Sequence, residues 1–346
     1  MLKPLRTNTL VCCSKENFVS SILPTDSLDL IDLFAQAKLA QAAPLICQWS
    51  ETDVLYAHFQ DALRKEVERV TSDDLAALFH QYAPVAGVET DEAYKNRVMV
   101  LPHLGTALVG IRFRSLDLSR PFVTVVAHTA PLPGTTGLVE AAAVLREAFQ
   151  AFAPKHVQFF VPADVRLDET QLPGGTHWDV HVLAAPVAQL RHRAFPPHFD
   201  RVQLRVPDEL ETYPRYVQEF EALFEQHPQH RDFARIEARE DLAVYHQEGL
   251  VFEVEIDGAW AGLVAATRSA EQGLKGFVVV EMFLDGAHRG RGFGPAVGRH
   301  LIERLPMEPG DTLYGTIHHE NRSARRSAEL GGREDIGAFL WVNLIN

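Results

Sequence analysis

Apolar and polar positions alternate with changing period along this chain, and the changes mark out its elements. A partial stripe of Leu28, Ile31, Leu33 and Leu39 predicts a helix over 27–40. Helical spacing runs through 51–82, where Thr71-Ser72 before Asp73 and Asp74 predicts a cap and acidic first turn between two helices. The period then shortens: 106–115 and 121–130 are rich in β-branched and apolar residues and read as strands. An amphipathic helix over 137–153 follows, then strands at 155–162 and 178–185.

Pro186, Pro196 and Pro197 interrupt a stretch without clean period at 186–200, which is the expected domain boundary. Beyond it the cycle restarts. A short strand at 201–206 precedes helices at 210–224 and 236–246. Strands at 250–256 and 260–267 are joined by Asp257-Gly258, a pair suited to a type I′ hairpin. Residues 277–284 (FVVVEMFL) form a strand too apolar to alternate, as expected where both faces are covered. A helix at 294–305, a strand at 312–318, a helix at 321–330 and a strand at 338–344 complete the pattern.

Composition narrows the class. The 346 residues are 46% hydrophobic and 23% charged, as in an ordinary globular protein of about two domains. A net charge of −13 disfavours a nucleic-acid groove or a docking face for anionic lipid. Cys12, Cys13 and Cys47 form no CxxC pair, and no leader-like segment or window of 18 uncharged apolar residues occurs, so a cytoplasmic protein with no membrane span is expected. The sixteen histidines show no HExxH or similar spacing, so no metal is expected.

One segment carries chemistry. Asp285-Gly-Ala-His-Arg289-Gly290-Arg291-Gly292-Phe293-Gly294 lies between a buried strand and a helix. Its glycines let successive N–H groups and the positive helix N-terminus converge, which suits a phosphate, and Arg289 and Arg291 add charged donors that favour a pyrophosphate. Neither a Walker loop nor a dinucleotide G-x-G-x-x-G fits the same residues.

With this turn in place, 200–346 resembles the GNAT superfamily of CoA-dependent N-acyltransferases. The family's order of elements is similar to the one above. Its R/Q-x-x-G-x-G/A turn falls on Arg289, Gly292 and Gly294, and its later Asn with a small residue three positions on falls on Asn321 and Ala324. The resemblance implies a mixed α/β fold with acetyl-CoA as co-substrate. The amides of 289–294 would hold the pyrophosphate, main-chain groups near Phe283, Leu284 and Asp285 the pantetheine arm, and Asn321 would belong to the same site. It also implies direct acetyl transfer to a primary amine in a ternary complex, the alternative being a non-catalytic acyl-CoA-binding or sensing protein.

An ammonium acceptor must lose a proton before it attacks. Glu281, the one charged side chain in an apolar strand, is the candidate base, with an ion-paired strand carboxylate as the other reading. Where many family members carry a Tyr as general acid, this chain has Ser327 and Ala328; Tyr314 or His318 are substitutes, or the thiolate leaves unassisted.

Shifting the chain by 155 residues lays 121–125 on 276–280 and Gly137 on Gly292, so 46–199 is expected to be a second, degenerate unit of the same kind after a partly helical extension at 1–45. In that overlay Arg289 becomes Gly134, Gly294 becomes Val139 and Glu281 becomes Val126, so the first half is not expected to bind CoA. Residues 208–285 carry 17 acids against 6 bases and 286–333 carry 8 bases against 5 acids, which predicts a basic cofactor end and a cationic small-molecule or peptide amine as acceptor.

Overall fold

A computed structural model describes residues 26–344; Cys12 and Cys13 lie outside them. Asp26 caps the first helix, α1 (Ser27–Ala40), by accepting from the Leu28 amide at 2.9 Å. After α2 (Pro44–Trp49) come α3 (Thr52–Thr71) and α4 (Asp73–Tyr82), divided where Ser72 accepts from the Leu75 amide. Then follow β1 (Arg97–Leu101), β2 (Gly105–Phe113), β3 (Pro121–His128), α5 (Thr135–Ala148), β4 (His156–Pro162) and β5 (His177–Pro186). A short α6 (Val187–His192) occupies the stretch without period.

The second half runs β6 (Val202–Arg205), α7 (Tyr213–Gln226), α8 (Arg239–Gln247), β7 (Val251–Ile256), β8 (Ala259–Glu271), β9 (Leu274–Leu284), α9 (Gly294–Arg304), β10 (Thr312–His318), α10 (Arg322–Leu330) and β11 (Glu334–Asn343). Asp257 and Gly258 have φ of 52° and 79°, the positive pair that a type I′ turn requires.

Among the described residues all strands join one 11-stranded sheet in the order β1-β2-β3-β4-β11-β5-β10-β9-β8-β7-β6. The expected boundary at 199/200 is bridged: β11 pairs with β4 (Ala338 with Val161), and β5 pairs with β10 (Leu313 with Ala185). Each half thus lends its last strand to the other, and β5 and β11 lie antiparallel at the centre. Residues from α1 and α3 bury Leu30, Phe34, Phe59 and Leu63 over the middle of the sheet, and α7 and α8 cover its β7–β9 end with Tyr216, Phe220 and Leu242. On the opposite face α5 packs its apolar side against the first half, and α6 and α9 pack against the second.

The internal repeat is architectural and not gapless. In both halves a parallel pair of strands opens after three residues, Phe122–Thr124 with His156–Gln158 and Gly276–Val278 with Thr312–Tyr314. In both, the strand before the turn carries a bulge, at Val126 between the partners of Leu108 and Val109, and at Val280 between those of Ala265 and Ala266. The connecting turns differ. Residues 129–134 are six and 285–293 are nine, so the 155-residue overlay fails there and Gly137 lies inside α5 rather than in a turn.

Candidate active site

A cleft forms because β9 and β10 separate. Beyond Val278 and Tyr314 they no longer pair, while β9 stays bonded to β8 as far as Leu284 and β10 stays bonded to β5 as far as His318. The bulge at Val280 shifts the alternation of β9. Val279 and Met282 consequently join the core beneath α9, while Val280 and Phe283 join the core beneath α7.

Glu281 sits at the bulge. One carboxylate oxygen accepts from Tyr216 Oη at 2.5 Å and the other from the Met282 amide at 2.8 Å. Tyr216 is fully buried on α7, and its oxygen in turn accepts from the Glu237 amide at 3.0 Å. Burial pushes the Glu281 carboxyl up to about 7; the Tyr216 and Met282 hydrogen bonds pull the other way, and the nearby Glu237 raises it further. Burial and the adjacent Glu281 charge raise the Tyr216 phenol, so it stays a hydrogen-bond donor. No arginine or lysine pairs with Glu281 among the described residues, which removes the ion-paired reading.

The glycine turn continues from the same strand. Asp285, buried, accepts at Oδ1 from the His288 amide (3.0 Å) and pairs with His288 Nδ1 (2.7 Å), while its carbonyl accepts from the His288 and Arg289 amides at 3.1 Å each. Arg289 works inward: Nε donates to the Leu284 carbonyl, Nη2 to the Glu219 carbonyl on α7 at 3.3 Å, and its guanidinium lies 4.6 Å from the Phe283 ring centre. Phe283 itself is core, stacked on Phe220 at 4.7 Å. The Leu284 carbonyl and Asp285 amide, expected to be open to a pantetheine arm, are bonded to Arg289 and to the Ala261 carbonyl of β8.

Gly290 and Gly292 take positive φ (71° and 83°), curling the chain around the start of α9. There the first amides of the helix lack intrahelical partners by construction. Arg291 is exposed beside them, and Phe293 is buried against His198 and His288. A Cβ at Gly294 would overlap the Ser327 hydroxyl, so this glycine lets α9 abut α10.

Two features escaped the sequence reading. Arg333, just before β11, lines the small space of about 20 Å³ between α9, α10 and the opening of the strands, together with Met282, Gly294 and Ser327. Its Nη1 would lie 3.0 Å from a Cβ at Gly315, and burial lowers its pKa to about 10. On the other face, Phe233 from the α7–α8 connection stacks on His318 at 4.8 Å and 10°. Burial lowers the His318 pKa, and desolvation raises that of Tyr314, which is buried among Leu274 and its neighbours in the central core.

Asn321 is the N-cap of α10: its Oδ1 accepts from the Ala324 amide at 3.2 Å. Asn321→Ala is expected to destabilise the fold by about 1 kcal/mol and Asn321→Asp to leave it nearly unchanged, since Asp caps equally well; thermal melts check both.

No group of three or more His, Cys, Asp or Glu suited to a metal ion occurs among the described residues, and no helix of the described chain is long and apolar enough to cross a membrane. No protein-family model and no curated protein matches the sequence. Among solved structures, a GCN5-related N-acetyltransferase from Sphaerobacter thermophilus is similar over 90% of this chain and 91% of its own, with a TM-score of 0.51 at 15% identity. A GNAT-family acetyltransferase from Colwellia psychrerythraea covers 78% of this chain and 96% of its own (TM-score 0.45, 10% identity). A tandem GNAT protein from the clavulanic acid biosynthesis pathway covers 79% and 94% (0.38, 14%). The likeness to the Sphaerobacter protein covers most of the chain: this chain has the GNAT fold.

Proposed function

We propose that the protein is an N-acyltransferase that moves an acetyl group from acetyl-CoA to a primary amine within a ternary complex, and that Glu281 is its base. The observation that carries this reading is the Glu281 carboxyl itself, unpaired by any cation among the described residues, lifted to about 7 and placed at the bulge where the strands part. An ordinary carboxylate near ~4.5 is a weak base for an alkylammonium, whereas one near neutrality is matched to the task.

The turn fits a CoA pyrophosphate. Two positive-φ glycines, the open N-terminus of α9 and the exposed Arg291 supply donors and charge, while Arg289 braces the turn from behind. Phe283, Leu284 and Asp285 position that turn and Glu281 more than they offer free groups of their own. When bound, the thioester supplies an electrophilic carbonyl and a thiol leaving group. Glu281 takes the first proton of the incoming ammonium, the free amine then attacks the thioester carbon, and as the carbon–sulfur bond breaks the second nitrogen proton passes to the departing sulfur, whose pKa near ~8.5 lets it leave without a strong acid.

The acidic side, with Glu237 beside Glu281, favours a cationic small-molecule or peptide amine. Absence of a phenol at Ser327 supports the second reading, a non-catalytic acyl-CoA sensor. One assay separates them: free thiol release from acetyl-CoA across a panel of amines, with calorimetric CoA binding alongside. Turnover is expected with at least one amine; binding without turnover on any amine favours the sensor, and no binding overturns both. Arg291→Ala is expected to raise the KM for acetyl-CoA roughly tenfold with kcat little changed, as one charge-assisted contact is lost.

A further inference from the structure

We propose that the cleft of the N-terminal half is a second ligand site, which takes a small carboxylic acid with an apolar tail and holds its carboxylate at Lys38. The parting of β3 and β4 opens into a cavity of about 270 Å³. That is just under the ~300–1,000 Å³ of drug-sized sites, so it suits a small metabolite. Val125, Ala127, Leu132, Phe159 and Phe160 give the wall its apolar side, and Lys38, Gln41, His128 and Gln272 its polar side.

Into this cavity α1 brings one cation. Lys38 Nζ donates to the carbonyl of the bulge residue Val126 at 3.1 Å and to Gln272 Oε1 at 3.4 Å, and an ammonium has three donors, so one is left for a ligand. Both partners are neutral. The acid among the lining residues is Asp164, exposed at the rim, and no described carboxylate forms an ion pair with Lys38. Burial lowers the amine to about 8, still largely charged at neutral pH. A desolvated cation without a counter-ion is stabilised by an anion, and the apolar wall behind it accepts a hydrocarbon body.

The turn beside the cavity excludes a phosphate. Residues 129–134 read Thr-Ala-Pro-Leu-Pro-Gly, with two prolines that have no N–H and no arginine, so neither a nest of amides nor a charged fork is present. Gln41, the C-cap of α1, also donates from Nε2 to the His128 carbonyl at 2.8 Å, so side chains at this end of the helix already pair with the backbone of β3. Gln272 comes from the β8–β9 hairpin and adopts a positive φ of 51°, so residues of both halves define the site.

Calorimetry of the full chain with hexanoate and with its neutral isostere hexanamide tests this without any variant. Saturable hexanoate binding, at least tenfold tighter than hexanamide, is expected, and Lys38→Met should bring hexanoate down to the hexanamide level while the melting curve stays cooperative. No saturable binding below about 10 mM, or equal binding of the two, overturns the proposal. Saturating CoA is expected to leave hexanoate binding unchanged; competition would place hexanoate in the C-terminal cleft and overturn it as well. These outcomes do not depend on whether the protein proves to be an acyltransferase.

Discussion

Glu281→Gln is expected to lower kcat/KM for the amine by roughly 10²–10⁴, the usual contribution of a positioned general base, with the KM for acetyl-CoA little changed. In the parent protein the rate should rise with pH through about 7 as the carboxyl ionises, and the variant should lose that limb. Tyr216→Phe provides the graded control. The Tyr216 hydrogen bond favours the ionised carboxylate, so removing it should move the limb to higher pH while activity persists. A purely structural role for the pair would leave the limb where it is.

The same carboxyl links activity to stability. Its folded pKa is raised, so its favourable contribution is complete below the ordinary carboxylate range and is lost as pH rises through about 7. The parent should therefore be less stable at pH 8 than the glutamine variant, by an amount of order 1–3 kcal/mol in urea unfolding, and the gap should close below about pH 4. Such a penalty is expected of a base kept buried near neutrality.

Gly276→Val is expected to destabilise the protein by roughly 3 kcal/mol or more and to abolish transferase activity in whatever folds. Gly276 has φ 150°, and a Cβ there would overlap the Thr312 carbonyl and lie 2.6 Å from the Thr312 nitrogen. These are rigid backbone atoms of the strand it pairs with. About 1–3 kcal/mol for overpacking and about 1–3 for backbone that side chains rarely adopt act together. The substitution lies at the start of the three-residue pairing that holds β9 against β10, two residues before they part at Val278 and Tyr314, so it should pry apart the strands that carry Glu281 and His318. Urea unfolding with an unchanged slope but a lower midpoint would confirm it; a midpoint equal to the parent's would refute it.

Much of this was legible because it is local. Thr312–His318 and the Asp257-Gly258 turn follow from a few neighbouring residues, and Glu281 stands out as a lone charge in an apolar run. The edge strand β1 escaped because Arg97–Leu101 is short, largely half-buried and without alternation. Tyr216 escaped because its partner lies 65 residues away, and Arg333 because its setting is made by α9, α10 and β10 together. Arg289 illustrates a further limit: its place in the motif was evident, but that its side chain faces the protein and leaves Arg291 facing outward depends on where Leu284 and Glu219 lie. The exchange of β5 and β11 leaves no trace in periodicity, because either strand would be apolar beside either neighbour.

That exchange bears on synthesis. Phe160 of β4 pairs with Phe339 of β11, so the inner edge of the first half stays bare while the ribosome makes nearly two hundred further residues. Local helices and hairpins can form as they emerge, but the first half cannot close before the second has been translated. A chaperone that shields an open strand edge would find its natural client in the nascent chain, and none of that exposure would persist in the finished molecule.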